Sequence, residues 1–127
     1  MDLLLDTHVF LWWDSDLPEL GPNARLAIRD PTNTVFVSAV SVWEIAIKRR
    51  LGRLPFEGSP TANVARNGFV PLPILPEHAE RAGDLPLLHA DPFDRLLIAQ
   101  AQFESLTLVT VDEKIRPYSV AQLWARG

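Results

Sequence analysis

The chain has no cysteine among its 127 residues. Disulfide bonds and thiolate metal sites are therefore excluded, and the absence favours a cytoplasmic location over an oxidising compartment. No apolar run approaches the roughly 20 residues that a membrane-spanning helix needs, so no membrane contact is expected. The first residues carry an acid at Asp2 and no basic segment, so no signal peptide is predicted.

An excess of positive charge is also missing, because the net charge is −4. This sign disfavours non-specific electrostatic binding of nucleic acid by the whole surface, although it is compatible with a local basic patch. The hydrophobic fraction of 47% and the charged fraction of 22% are typical of a folded globular protein. The length suits a single domain, residues 1–127, with a sizeable core.

Two familiar kinds of hydrolytic site are not found. No Gly-x-Ser-x-Gly segment surrounds a serine, so the serine-hydrolase nucleophile elbow is excluded. The three histidines, His8, His78 and His89, are far apart, and without cysteine they do not predict a zinc site. A haloacid-dehalogenase-like phosphatase is also disfavoured, because His8 stands where that family has a second aspartate.

Short apolar strands alternate with helical segments along the chain. Strands are predicted at residues 3–5, 34–37 and 106–111, with an edge strand near 69–72, where two prolines exclude a central position. Helices are predicted near residues 9–13, 22–29, 61–67, 77–83 and 92–104, and a long one capped by Ser38 or Ser41 runs to about Leu51. The segment after Lys114 predicts no clear element. The alternation predicts a three-layer α/β domain with a central parallel sheet.

Two acids follow predicted strands directly. Asp6 ends the buried Leu3-Leu4-Leu5 run, and Asp112 ends the strand near residues 106–111. Because ligands bind at the carboxyl edge of parallel sheets, both side chains are candidates for a functional site. The alternative is helix or turn capping, since aspartate is a favoured N-cap residue.

Two further acids interrupt apolar helix faces. Glu44 shares its face with Ile47 and Leu51, and Asp94 shares its face with Leu97 and Ile98. A carboxylate on such a face costs free energy unless it is paired or bound to a cation. The alternatives are an i,i+4 pair of Glu44 with Lys48 and a capping role for Asp94 in the first turn of its helix. The basic run at residues 48–50 is either a solvated helix end or a contact for substrate phosphates.

The four acids together predict a cation site. Clustered carboxylates in a partly buried site cannot all stay ionised without a cation. Oxygen ligands suit Mg²⁺ or Mn²⁺, which activate water and neutralise charge on a phosphodiester. The pattern formed by Asp6, Glu44, Asp94 and Asp112 therefore predicts hydrolytic cleavage of phosphodiester bonds.

Four segments, in this order, resemble motifs of the PIN-domain ribonucleases, specifically the VapC-type toxins of toxin–antitoxin pairs. They are Leu4-Leu5-Asp6-Thr7-His8, Ser41-Val42-Trp43-Glu44-Ile45, Asp91-Pro92-Phe93-Asp94-Arg95-Leu96-Leu97-Ile98-Ala99-Gln100-Ala101 and Leu108-Val109-Thr110-Val111-Asp112. The chain departs from the family at His8, where Asn or Ser is usual, and Asp91 is an additional acid.

The resemblance implies several properties that composition and spacing do not show. They are a sheet of about five parallel strands, catalytic acids at Asp6, Glu44, Asp94 and Asp112, and a metal ion held chiefly by Asp6 and Asp94. They also include Mg²⁺-dependent endoribonuclease activity on single-stranded or looped RNA, a homodimer and a cognate antitoxin. Two other functions stay open: a PIN-like DNA nuclease, and a non-enzymatic partner-binding domain.

Overall fold

The computed structural model describes all residues from Met1 to Gly127. Five parallel strands form one sheet in the order β3-β2-β1-β4-β5. The strands are β1 (Asp2–Leu5), β2 (Thr34–Ser38), β3 (Val70–Leu72), β4 (Thr107–Thr110) and β5 (Gln122–Trp124). The helices are α1 (Thr7–Asp14), α2 (Pro22–Arg29), α3 (Ala39–Arg50), α4 (Pro60–Arg66), α5 (Pro76–Asp84) and α6 (Pro92–Glu104).

The central strand β1 explains the three layers. Leu3, Leu4 and Leu5 are all fully buried, as expected for a strand covered on both faces. Leu3 and Leu5 join a core cluster with residues of α1, α2, α3 and α4, whereas Leu4 joins a second cluster dominated by α6. Alternate side chains of one strand therefore fill two cores, one on each face of the sheet.

The strand order places a crevice between β1 and β4. The chain runs outward from β1 through β2 to β3, and then returns across the sheet to β4 on the other side of β1. Neighbouring strands whose connections depart in opposite directions leave a crevice at their carboxyl ends, where ligands bind in open α/β sheets. Asp6 follows β1 and Asp112 follows β4, so both acids lie at this switch point.

The structure confirms the predicted α/β class and refines individual elements. The prolines do confine β3 to an edge of the sheet, and Ser38 rather than Ser41 caps α3. Strand β5 was not predicted, because its three residues lie in the segment that gave no clear pattern. No helix has both the length and the apolar character needed to cross a membrane.

Candidate functional site

A cleft of about 370 Å³ opens at the carboxyl edge of the sheet beside β1 and β4. It brings together all four acids predicted from the sequence, and Asp91 is a fifth. The lining residues are Asp6, His8, Trp12, Glu44, Lys48, Asp91, Asp94, Val111, Asp112 and Arg126. The cleft therefore concentrates five carboxylates and two cationic side chains, Lys48 and Arg126, at one edge of the sheet.

Asp6 caps a helix and also lines the cleft. Its Oδ1 accepts a hydrogen bond from the backbone N–H of Val9 at 2.8 Å, and Oδ2 accepts one from Val111 at 3.3 Å. The first bond caps α1, and the second ties the end of β1 to the segment after β4. Burial raises the pKa of Asp6 above its usual 3.8, although hydrogen bonds and the charge of His8 oppose the rise. Capping and membership of the site are therefore compatible for this residue.

Glu44 is buried on α3 and held by two partners. Its Oε1 accepts a hydrogen bond from the hydroxyl of Thr7 at 2.7 Å, and its Oε2 contacts the ammonium of Lys48 at 2.5 Å. The Thr7 hydroxyl also lies 2.9 Å from Ser41 Oγ. The i,i+4 pair with Lys48 considered from the sequence is thus present. It occurs within the cleft, so the pairing fixes the orientation of a carboxylate that lines the site.

Asp94 lies in the first turn of α6, and Asp91 is the N-cap of that helix. The Oδ1 of Asp91 accepts hydrogen bonds from the backbone N–H groups of Phe93 and Asp94, at 2.8 and 3.3 Å. Desolvation and the negative charge of Asp91 raise the pKa of Asp94 to about 7, with smaller contributions from Asp6 and Asp112. Burial and the repulsion among the clustered acids therefore act on Asp94 by making its ionised form less favourable.

Asp112 lies at the more exposed side of the cleft. Partial burial acts to raise its pKa, but hydrogen bonds from the Lys114 N–H, from Asp94 and from His89 prevail, so the pKa lies below its usual value. The Lys114 N–H donates to Oδ1 at 2.9 Å, which leaves Oδ2 facing His89. At neutral pH, Asp112 is thus an ionised carboxylate beside an Asp94 that is partly protonated.

His89 contacts two of the acids, and sequence reasoning did not assign it to the site. Its Nε2 lies 2.9 Å from Oδ2 of Asp94 and 3.0 Å from Oδ2 of Asp112. A ring nitrogen carries at most one proton, so it cannot donate a full hydrogen bond to both carboxylates. The only signal in the sequence was its position immediately before the Ala90-Asp91-Pro92 segment.

The buried Arg95 fixes the loop that carries His89. Its guanidinium donates to the carbonyl oxygens of Ala82, Leu85 and Pro86 at 2.8 to 2.9 Å, and to His89 O at 3.3 Å. The Tyr118 hydroxyl accepts a hydrogen bond from the backbone N–H of His89 at 2.9 Å. These contacts hold the main chain on both sides of the imidazole, and so set its position against the acids.

The donor set fits a divalent cation. Nε2 of His89 and carboxylate oxygens of Asp94 and Asp112 all lie within 4.8 Å of one another. The shared negative charge that raises the pKa of Asp94 is the charge a cation would neutralise. The carboxylate oxygens suit Mg²⁺ and Mn²⁺, whereas an imidazole nitrogen is a more usual ligand for later transition metals. Asp6 lines the same cleft but lies outside this close group of three.

Cationic side chains near the cleft differ in what they contact. Lys48 binds Glu44, and Arg49 donates to the carbonyl oxygens of Phe56 and Gly58, so both are held by the protein itself. Of the predicted basic run, only Lys48 lines the cleft. Arg126, which was not considered from the sequence, also lines it.

Comparison with known proteins identifies the family. The family profile described as PIN domain matches residues 3–120. The chain belongs to the PIN domain family. The resemblance noted from the four sequence motifs is thereby confirmed, and the acids of those motifs are the ones that converge in the cleft.

Two relatives of the chain are named as VapC ribonucleases. It is 28% identical over 127 residues to Ribonuclease VapC22 of Mycobacterium tuberculosis, covering 91% of each chain. It is 35% identical over 74 residues to Ribonuclease VapC16 of the same organism, covering 55% of this chain and 45% of that one.

Solved structures share the fold at low sequence identity. A VapBC2 complex from Rickettsia felis bound to a promoter DNA fragment superposes with a TM-score of 0.69 at 16% identity, covering 97% of this chain and 98% of that one. A toxin–antitoxin complex from Klebsiella pneumoniae gives a TM-score of 0.68 at 19% identity, covering 97% of each chain.

Proposed function

We propose that this PIN domain is a metal-dependent endoribonuclease that acts as the toxin of a toxin–antitoxin pair. The observation that carries the proposal is the convergence of five carboxylates in one cleft at the switch point between β1 and β4. Carboxylates so close together repel one another and therefore do not stabilise a fold, whereas a bound cation would offset their charge. The relatives named as ribonucleases support RNA as the substrate.

Asp6, Asp94, Asp112 and His89 are the residues proposed to hold the ion, with Mg²⁺ as the expected metal and Mn²⁺ as an alternative. When bound, a divalent ion supplies charge neutralisation at the phosphodiester and a more acidic water. Glu44 contributes a carboxylate whose two oxygens are already oriented by Thr7 and Lys48. We assign it the role of orienting the attacking water, because its position is fixed before substrate binds.

Proton transfer at the site involves Asp94. With a pKa of about 7, Asp94 holds a proton in the lower part of the neutral range, and it would have to lose that proton in order to bind a cation. Asp112, with its lowered pKa, is ionised beforehand and needs no such exchange. Metal affinity is therefore expected to rise with pH until Asp94 has lost its proton.

Partner proteins belong to the same proposal. Structural neighbours were solved as a VapBC2 complex and as a toxin–antitoxin complex, which supports a cognate antitoxin as the partner. A homodimer is supported by large exposed apolar side chains, including Trp43, Leu51 and Leu87. Light scattering that shows only monomer at micromolar concentration would exclude the dimer.

The test compares two adjacent acids. Asp112→Asn removes a carboxylate of the cleft, whereas Glu113→Gln makes the same chemical change at an exposed neighbour that does not line it. We expect Asp112→Asn to reduce Mg²⁺-dependent cleavage of single-stranded RNA by about 100-fold or more, and Glu113→Gln to retain it.

The substrates used in the same assay separate the other functions. Cleavage of DNA but not RNA by the unmodified protein would favour a DNA nuclease. No metal-dependent cleavage of either polymer would favour a partner-binding domain without enzymatic activity. Full RNA cleavage by Asp112→Asn would refute the site proposed here.

A further inference from the structure

Arg126 is a cationic residue of the cleft whose guanidinium has no hydrogen-bond or ion-pair partner in the protein. The cleft is lined by two basic side chains, Lys48 and Arg126. The Lys48 ammonium is bound to Glu44, but the Arg126 guanidinium forms no ion pair or hydrogen bond with any protein group. Its five N–H donors are thus available to a ligand, although acidic side chains line the same cleft.

The Arg126 side chain is nevertheless positioned. Its guanidinium carbon lies 5.3 Å from the ring centroid of Trp12, within the range of a cation–π interaction. Trp12 belongs to α1, the helix capped by Asp6, and also lines the cleft. The aromatic ring therefore holds the cation at the cleft without consuming its hydrogen-bond donors.

The backbone of Arg126 is fixed by a close approach at Gly21. A Cβ at position 21 would lie 2.7 Å from the carbonyl carbon of Arg126, a distance that real Cβ atoms do not reach. The Gly21 N–H donates to Ala125 O at 2.7 Å, and the Asn23 N–H donates to Gly127 O at 3.3 Å. Gly21 thus allows the segment after β5 to pack against the start of α2, which directs residue 126 to the cleft.

We propose that Arg126 binds a backbone phosphate of the RNA substrate. This inference rests on the proposed endoribonuclease function and names the residue that holds the substrate beside the acids. A cleft with five carboxylates repels a polyanion until cations offset the charge, and a guanidinium binds phosphate oxygens in a bidentate, directional way. The absence of a carboxylate partner argues against the simpler role of neutralising the acids.

The experiment measures RNA binding and cleavage for Arg126→Gln. Binding of a fluorescein-labelled single-stranded RNA is followed by anisotropy in an Asp94→Asn background, in which cleavage is expected to be lost. We expect the dissociation constant and the KM of the cleaving protein to rise by about tenfold, with a smaller change in kcat. The slope of log K against the logarithm of the salt concentration should become less negative by about 0.7, the contribution of one phosphate contact to a single strand.

Arg116→Gln is the matched control. The Arg116 guanidinium carbon lies 3.9 Å from the ring centroid of Trp124, and its Nε pairs with the exposed Glu113 at 3.5 Å. The substitution thus removes the same charge and the same type of cation–π contact outside the cleft, together with one exposed ion pair of little energetic weight. We expect this variant to bind and cleave RNA as the unmodified protein does. Arg126→Lys should recover part of the affinity, because it retains the charge without the guanidinium geometry.

The outcomes separate this inference from the proposed function. Arg126→Gln with unchanged RNA affinity and KM would overturn the phosphate contact, even if Asp94→Asn abolishes cleavage as expected. An equal loss in Arg116→Gln would overturn it too, because net charge alone would then explain the effect. If Asp94→Asn cleaved normally, the proposed site would fail, and the RNA affinity of Arg126→Gln would be measured in EDTA, where metal-dependent cleavage is suppressed. The Mn²⁺-induced rise in melting temperature should be retained in Arg126→Gln, since no ion ligand is altered.

Discussion

Replacing Asp94 by asparagine tests two effects of the acidic cluster, namely destabilisation of the metal-free fold and binding of a cation. The pKa of this carboxyl is raised from its usual 3.8 to about 7, chiefly by desolvation and by Asp91. Between these values the folded protein retains a proton that the unfolded chain has released. The free energy of unfolding must therefore fall as pH rises through this window, and above about pH 7 the full cost is present.

The magnitude follows from the shift. About three pH units at about 1.4 kcal/mol each give a ceiling near 4 kcal/mol at pH 8. Because the Asp94 side chain is 19% exposed, screening reduces the effect, and we expect about 2 kcal/mol. Asparagine has the same size, carries no charge and can still hydrogen-bond His89. Metal-free Asp94→Asn should thus be more stable than the unmodified protein at pH 8, and nearly equal to it at pH 4.

Urea unfolding of both proteins in EDTA at the two pH values measures this difference. The same titration at pH 8 with Mn²⁺ at about ten times Kd should add about 1.4 kcal/mol to the unmodified protein and little to the variant. A variant that is less stable at pH 8 would refute the reasoning, because Asp94 would then stabilise the fold. A variant that keeps the full Mn²⁺ effect would show that Asp94 is not a ligand.

Two further substitutions test the supports of the site. Glu44→Gln should cost about 1–3 kcal/mol in urea unfolding, because Lys48 loses its buried carboxylate, and should abolish RNA cleavage. Stability lost with cleavage retained would make Glu44 purely structural. Arg95→Met should cost about 3 kcal/mol or more, since several buried carbonyl oxygens lose their donor. It should also weaken the Mn²⁺-induced stabilisation through a displaced His89, and an unchanged metal effect would show that Arg95 does not position this ligand.

Predictions from the sequence succeeded where burial on two faces imposes a strong pattern. The three leucines of β1 could be assigned to a strand because a strand covered on both faces shows no alternation of apolar and polar residues. Asp6 could be assigned to the candidate site because it follows that strand directly. Glu44 and Asp94 stood out because each places a charge on an otherwise apolar helix face. For Asp6 and Glu44, the capping or pairing alternative is present together with a place in the cleft, whereas the capping role considered for Asp94 belongs to Asp91.

The missed features depend on contacts between distant segments. His89 lies in a loop without periodicity, and its position is set by Arg95 and Tyr118. Strand β5 has only three residues, and pairing with β4 defines it rather than any propensity of its own. Arg126 reaches the cleft through the packing of its backbone on Gly21, a proximity that no local pattern encodes.

The hydrogen bond from the Val111 N–H to Asp6 joins residues 105 positions apart in the chain. Closing so large a loop lowers the conformational entropy of the chain before the stabilising contacts have formed, so we expect this contact to form late in folding. Asp6 thus meets the acids of α6 and the end of β4 only when β4 has been inserted beside β1. A nascent chain that has not yet released β4 lacks Asp112, one of the five carboxylates of the cleft, and has no neighbouring strand on that side of β1. The topology therefore delays completion of the cleft, and of any function that depends on it, until synthesis has passed that strand.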